Sequence, residues 1–157
     1  MVDSTGTTSW TYDNADRVTQ LITPQGTINY TYDSANRRAT MEQVGTGTTT
    51  YTLDAATRLT SLVNPFSETT SWSYDSANRC TQQKFANGVY SVFGYDNRNR
   101  QTSVTHKNSS NATISAESYT LDDAGNLTSK TVDSVETDYT YDAIDQLLSE
   151  ARTGYSA

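Results

Sequence analysis

One short pattern returns seven times along the chain: an aromatic residue, a small residue, Tyr or Leu, then Asp. It reads Trp10-Thr11-Tyr12-Asp13, Tyr30-Thr31-Tyr32-Asp33, Tyr51-Thr52-Leu53-Asp54, Trp72-Ser73-Tyr74-Asp75, Phe93-Gly94-Tyr95-Asp96, Tyr119-Thr120-Leu121-Asp122 and Tyr139-Thr140-Tyr141-Asp142. Successive Asp residues lie 20, 21, 21, 21, 26 and 20 positions apart, and the long interval holds an insertion at 107–112. A period of this size marks a stacked-repeat architecture: one unit cannot bury its apolar face alone, and its neighbours supply the cover.

Each copy reads as strand, tight turn, strand. The aromatic and the following Tyr or Leu stand two residues apart, so in a strand they share a face. Asp then opens a four-residue turn, where its carboxylate can accept backbone N–H groups. The fourth turn position holds Asp16, Asn36, Thr57, Asn78, Asn99, Gly125 and Asp145. Six of these are Gly, Asn or Asp, the types that tolerate a left-handed backbone. A type I turn closed by one left-handed residue is a common hairpin connection with a bulge. Arg follows at 17, 37, 58, 79 and 100, replaced by Asn126 and Gln146 in the last two copies. The next residue is Val18, Arg38, Leu59, Cys80, Gln101, Leu127 or Leu147, a mostly apolar start for the returning strand. Further punctuation at Pro24-Gln25-Gly26, Gly45-Thr46-Gly47, Asn64-Pro65 and Asn87-Gly88 supplies a second turn per repeat, and Asn-Gly is a strong short-hairpin signal. Two strands per repeat predict about fourteen antiparallel strands from seven repeats, an all-β strip with essentially no helix. The organisation expected is a lead-in at 1–9, the array at 10–150 and a tail at 151–157, and neither end reads as a cap. The chain therefore reads as a fragment of a longer repeat protein.

Composition agrees with a pleated fold. The sequence has 28 Thr and 18 Ser among 157 residues, with 11 Tyr but only 3 Phe and 2 Trp. Thr and Tyr suit a half-buried pleated surface. The formal net charge of −7 repels phosphate backbones, which makes nucleic acid an unexpected partner. No stretch is apolar for long enough to span a membrane. Met1-Val2-Asp3-Ser4 lacks the basic and apolar regions of a signal peptide. The single Cys allows no disulfide within the chain.

The motif Y-x-Y-D-x-x-G/N-R-L-T at this spacing resembles the YD repeats of bacterial Rhs proteins, toxin-complex C components, wall-associated proteins and animal teneurins. Tyr30 to Arg37 and Trp72 to Arg79 carry it most fully, and the resemblance spans about residues 10–150. It implies a long β-sheet strip that spirals into a hollow shell, which in polymorphic toxins encloses a C-terminal toxic domain. It also implies a bacterial protein secreted or held at the cell surface as part of a larger parent, and YD repeats are associated with carbohydrate binding. The turn glycine survives only at Gly125, and the D-P-x-G element that precedes a toxin domain in Rhs proteins is missing. The resemblance thus carries the repeat fold and neither self-cleavage nor toxicity.

Chemistry has few footholds here. The structural motif residues are Tyr12, Asp13, Arg17, Tyr32, Asp33, Arg37, Asp54, Arg58, Tyr74, Asp75, Arg79, Tyr95, Asp96, Arg100, Asp122, Tyr141 and Asp142. Their aromatic rows could stack sugars, but residues recurring in register read as core and cross-strand pairs. On that reading Tyr32 and Tyr74 should be largely buried. One Asp per turn reads as turn capping, since calcium loops gather several carboxylates within one short segment. A repeated Arg pairing with that Asp, or stacking on a neighbouring repeat's aromatic, has a structural role. The lone His106 lacks a nucleophile-elbow partner, and Cys80 replaces Val18 and Leu59 as a small core residue. No enzyme, no cofactor and no metal are expected. Phe66, Tyr90 and Tyr155 fall off the repeat register and are the candidates for ligand contact, glycans first. The remaining partners expected are neighbouring repeats of the parent chain, or other copies joined edge to edge as a homo-oligomer through the strip's open ends.

Overall fold

A computed structural model describes residues 2–3 and 6–153. Two short strands, β1 (Val2–Asp3) and β2 (Gly6–Thr7), pair with each other. The repeats supply β3 (Ser9–Tyr12), β4 (Val18–Thr23), β5 (Gly26–Tyr32), β6 (Arg38–Gln43), β7 (Gly47–Leu53), β8 (Leu59–Val63) and β9 (Thr69–Tyr74). They continue with β10 (Cys80–Lys84), β11 (Tyr90–Tyr95), β12 (Gln101–Lys107), β13 (Thr113–Leu121), β14 (Leu127–Val132), β15 (Val135–Tyr141) and β16 (Leu147–Thr153). These 14 strands form one open antiparallel sheet whose order is the order of the chain. No helix occurs among the described residues. The chain divides into two compact units, Met1–Ser71 and Trp72–Ala157.

The Asp turns form as their residue types demand. In all seven, the N–H of the fourth residue reaches the Asp carbonyl, and the Asp N–H reaches the carbonyl of the residue four positions on. The fourth residue is left-handed every time, from φ 57° at Asp16 to φ 101° at Gly125. The ladder slips by one residue just ahead of the Asp, for instance at Thr11/Tyr12, Thr31/Tyr32 and Gly94/Tyr95. This bulge absorbs the extra residue of the turn.

The second row of turns is more varied. Thr23 faces Gly26 across a two-residue loop at Pro24-Gln25, and Gly45 has φ 86°. The segments starting at Asn64, Phe85 and Asn108 repeat the Asp-turn bonding, with Ser67, Gly88 and Asn111 in the left-handed place. Asn87-Gly88 therefore does not form the two-residue hairpin its dipeptide suggests. Gly88 closes a longer turn that begins at Phe85. Val132 pairs with Val135 around Asp133 and Ser134, both at positive φ, a turn that the sequence reading did not single out.

Alternation sorts the side chains onto two faces. In the first unit one face carries Trp10, Tyr12, Leu21, Ile28, Tyr30, Tyr32, Met41, Tyr51, Leu53 and Leu62, in cross-strand pairs such as Trp10 with Leu21 and Tyr51 with Leu62. The other face is mainly hydroxylic and amidic, with Ile22 and Val63 among its apolar members. Thr31 and Thr40 share a hydrogen bond at 2.6 Å, and Gln20 donates to Asn29, which donates to Glu42, each at 2.9 Å. The expected deep burial of Tyr32 and Tyr74 is not met: both are half-buried. Among the described residues only Val104 and Ser91 are buried. A single sheet gives its apolar residues side-by-side cover from neighbouring strands but no second layer, so the aromatic face stays partly open.

Candidate functional site

The residues that recur in sequence converge at the turn edge. In the first five copies the Asp Oδ1 accepts two backbone N–H groups, from the residues two and four positions on, as from Ala35 and Arg37 at Asp33. Its Oδ2 accepts the Arg Nε at 2.6–2.7 Å. The last copies keep the scheme with Asn126 and Gln146 in place of Arg: Asp122 bonds the Asn126 amide, and Asp142 caps Ile144 and Gln146. The backbone N–H of the arginine is the main cause that holds Asp33, Asp54, Asp75 and Asp96 below the usual carboxylate range, and at Asp13 the guanidinium leads. The Asn126 N–H does the same for Asp122.

The motif also links consecutive repeats. Arg17 donates to Asn36 and lies 4.4 Å from the Tyr32 ring centre. Arg37 donates to the Asp54 carbonyl. Arg79 donates to the Asp96 carbonyl and to Asn99, 4.9 Å from the Tyr95 ring centre. Arg100 reaches the Asp122 carbonyl, and Asn126 reaches Asp145. In the opposite direction the tyrosine hydroxyls of Tyr32, Tyr95 and Tyr141 donate to the carbonyls of Val18, Cys80 and Leu127 at 2.8–3.0 Å. Asn at the fourth turn position thus does two jobs, since it takes the left-handed backbone and offers an acceptor to the arginine one repeat back. Glycine could do only the first.

The off-register candidates do not come together. Phe66 stands 79% exposed on the turn that begins at Asn64. Tyr90 is half-buried at the start of β11, and its hydroxyl donates to Asn111. Tyr155 lies outside the described residues. His106 sits in β12, and its Nδ1 is 2.8 Å from the Oγ of buried Ser91. Tyr119 donates to Glu117 at 2.6 Å, which pushes its phenol up to about 12, and Lys130 is 3.2 Å from the same carboxylate. Tyr119 is the aromatic of the sixth motif copy, but its partners Glu117 and Lys130, like Ser91 and His106, lie outside the motif, and only their polar side chains on the aromatic face could have flagged them. Burial pushes the Cys80 thiol up, in keeping with a packing role. No group of three or more metal-ligating side chains occurs among the described residues.

The sequence model of the RHS Repeat family matches residues 1–28, 54–89 and 74–110, together more than half of the chain. The chain belongs to the RHS repeat family. The structure agrees with that membership. A structure of TcdB2-TccC3-TEV matches 95% of this chain with a TM-score of 0.74 at 17% identity. One of TcdB2-TccC3 matches 94% with a TM-score of 0.73 at 19% identity. The Tc holotoxin pore of Photorhabdus luminescens, with a mutated TccC3, matches 80% with a TM-score of 0.67 at 21% identity. These repeats span only 7–9% of those chains. The sequence matches none of the curated proteins. The RHS repeats here are thus a structural repeat segment with the fold seen in those toxin-complex chains.

Proposed function

We propose that this chain is a wall segment of a bacterial shell-forming or surface protein of the RHS type, exported as part of a larger parent, with no catalysis of its own. What supports this reading is the direction of the motif's bonds. The side chains best suited to chemistry, namely the Asp of each copy, the repeated Arg and the hydroxyls of Tyr32, Tyr95 and Tyr141, are committed to capping turns and to joining one repeat to the next. Enclosure of a toxic cargo by the parent follows from the same reading. Electron microscopy of the full-length parent tests it. The segment should lie within a continuous wall around an internal volume, and a segment projecting as a free stalk would contradict the shell.

The exposed ring of Phe66 favours a second reading, a carbohydrate-binding surface built on exposed aromatics and hydroxyls. A glycan array probed with the chain and with Phe66→Ala separates the two. Retention on glycans that disappears in the variant supports binding, and no retention by either protein leaves the wall reading.

A further inference from the structure

Arg38 breaks the repeat. Its register position holds Val18, Leu59, Cys80, Gln101, Leu127 and Leu147 in the other copies, so Arg38 is the only charged residue among the seven. The turn does not need it, because Arg37 already serves Asp33. As the first residue of β6 it pairs with Tyr32 and so stands on the aromatic face of the first unit. Its guanidinium carbon is 4.8 Å from the Tyr30 ring centre.

Arg17, Arg37, Arg58, Arg79, Arg98 and Arg100 each pair with an aspartate. The Arg38 side chain has no ion pair and no hydrogen bond among the described residues, only the Tyr30 ring. The ring contact leaves unused the fork of N–H donors that matches a carboxylate in two-point geometry. The cation is also exposed, and although the chain has a net charge of −7 none of its described carboxylates is paired with it.

Concavities open on both sides of it. One, of about 330 Å³, is lined by Tyr32, Tyr51, Leu53 and Leu59 together with Arg38. The other, of about 250 Å³, also includes Arg38 and lies towards Trp10 and Leu21. Both are shallow depressions open to solvent along the sheet face, and the larger reaches the low end of the volume range of small-molecule sites. A cation at the rim of an apolar hollow selects a ligand with one anionic group and an apolar body. We propose that Arg38 and the hollow beside it bind a ring-bearing monocarboxylate, with the carboxylate on the guanidinium and the ring against Tyr51, Leu53 and Leu59. A single cation in so acidic a protein suits a monoanion better than a multiply charged phosphate. The site stands whether or not the chain is part of a shell.

Titration calorimetry of the intact chain tests this with four probes: indole-3-acetate, glucuronate, the neutral indole-3-ethanol and phenyl phosphate. Indole-3-acetate should bind saturably and weaken about 10- to 100-fold in Arg38→Leu, the scale of a lost charge-assisted hydrogen-bonded pair. Arg38→Lys, which keeps the charge without the fork, should fall between the two. Indole-3-ethanol should bind the wild-type chain no better than indole-3-acetate binds Arg38→Leu. Glucuronate binding that also depends on Arg38 would support the site with a sugar as the carrier of the carboxylate. Leu occupies this position at Leu59, Leu127 and Leu147, so Arg38→Leu should fold with an unchanged or higher melting temperature. If it aggregates, Arg38→Gln, which copies Gln101, gives the same reading. No saturation by either carboxylate, equal binding by wild type and variant, or tighter binding of phenyl phosphate would overturn the proposal.

Discussion

Thr57 occupies the fourth position of its turn at φ 64°, where a β-branched side chain crowds the backbone most. Its counterparts are Asn, Asp or Gly. Thr57→Asn should therefore stabilise the chain by about 0.5–1 kcal/mol, read as a higher urea midpoint at constant slope, and a lower midpoint would mean that Thr57 has a role beyond the turn. Tyr95→Phe tests the hydroxyl staples. It removes the bond to the Cys80 carbonyl and should cost about 1 kcal/mol. Tyr12→Phe, where the ring is 59% exposed, should change stability by less than about 0.5 kcal/mol. The left-handed residues were legible in the sequence because few residue types accept that backbone. The hydroxyl bonds were not, because an aromatic at a fixed position signals a face and says nothing about what its far end reaches. The same gap explains Tyr32 and Tyr74: periodicity assigns a side chain to a face but not a second layer to cover it.

The strand–turn–strand element carries its own pH dependence. The carboxyls of Asp13, Asp33, Asp54, Asp75, Asp96 and Asp122 are held below the ordinary value of 3.8 in the folded chain. A depressed folded value means that the unfolded state takes up protons first as pH falls. The stability these turns add is therefore complete above 3.8 and is lost as the pH drops from there through the folded values. Melting temperatures should be nearly level on the neutral side and fall steeply below about pH 4, with the repeat-wide loss appearing as one acid transition by circular dichroism. A flat profile down to pH 2 would show that the caps add nothing to stability. Strands and Asp turns could be read from the motif because spacing and residue type agreed. The opposite edge was harder, since Asn87-Gly88 fits two turn classes and only the strand register around Phe85 and Val89 decides between them.

At the scale of the molecule, β3 and β16 end the strand order, and among the described residues each has a partner on one side only. β16 is exposed along its whole length, with Leu147 at 55% and Leu148 at 66%. Unpaired strand edges with few charges invite pairing with another copy, while the net charge of −7 opposes unlimited growth. Light scattering across a concentration series should show a small oligomer that dissociates on dilution, and Leu147→Lys with Leu148→Lys should shift it towards monomer. A monomer at every concentration would rule the edge contact out. The two sides of the sheet also differ in how they treat added length. Between Asp96 and Asp122 the extra residues lengthen β12 and β13 to 7 and 9 residues and end in an ordinary turn at Asn108. The Asp turns on either side keep their bonding unchanged. Length variation is thus confined to one margin, while the other works as a fixed selvedge, like the bound edge of a woven cloth. A peptide tag or small domain spliced between Ser109 and Ser110 should be carried without disturbing the weave, which makes that margin the place to graft new sequence onto the repeats.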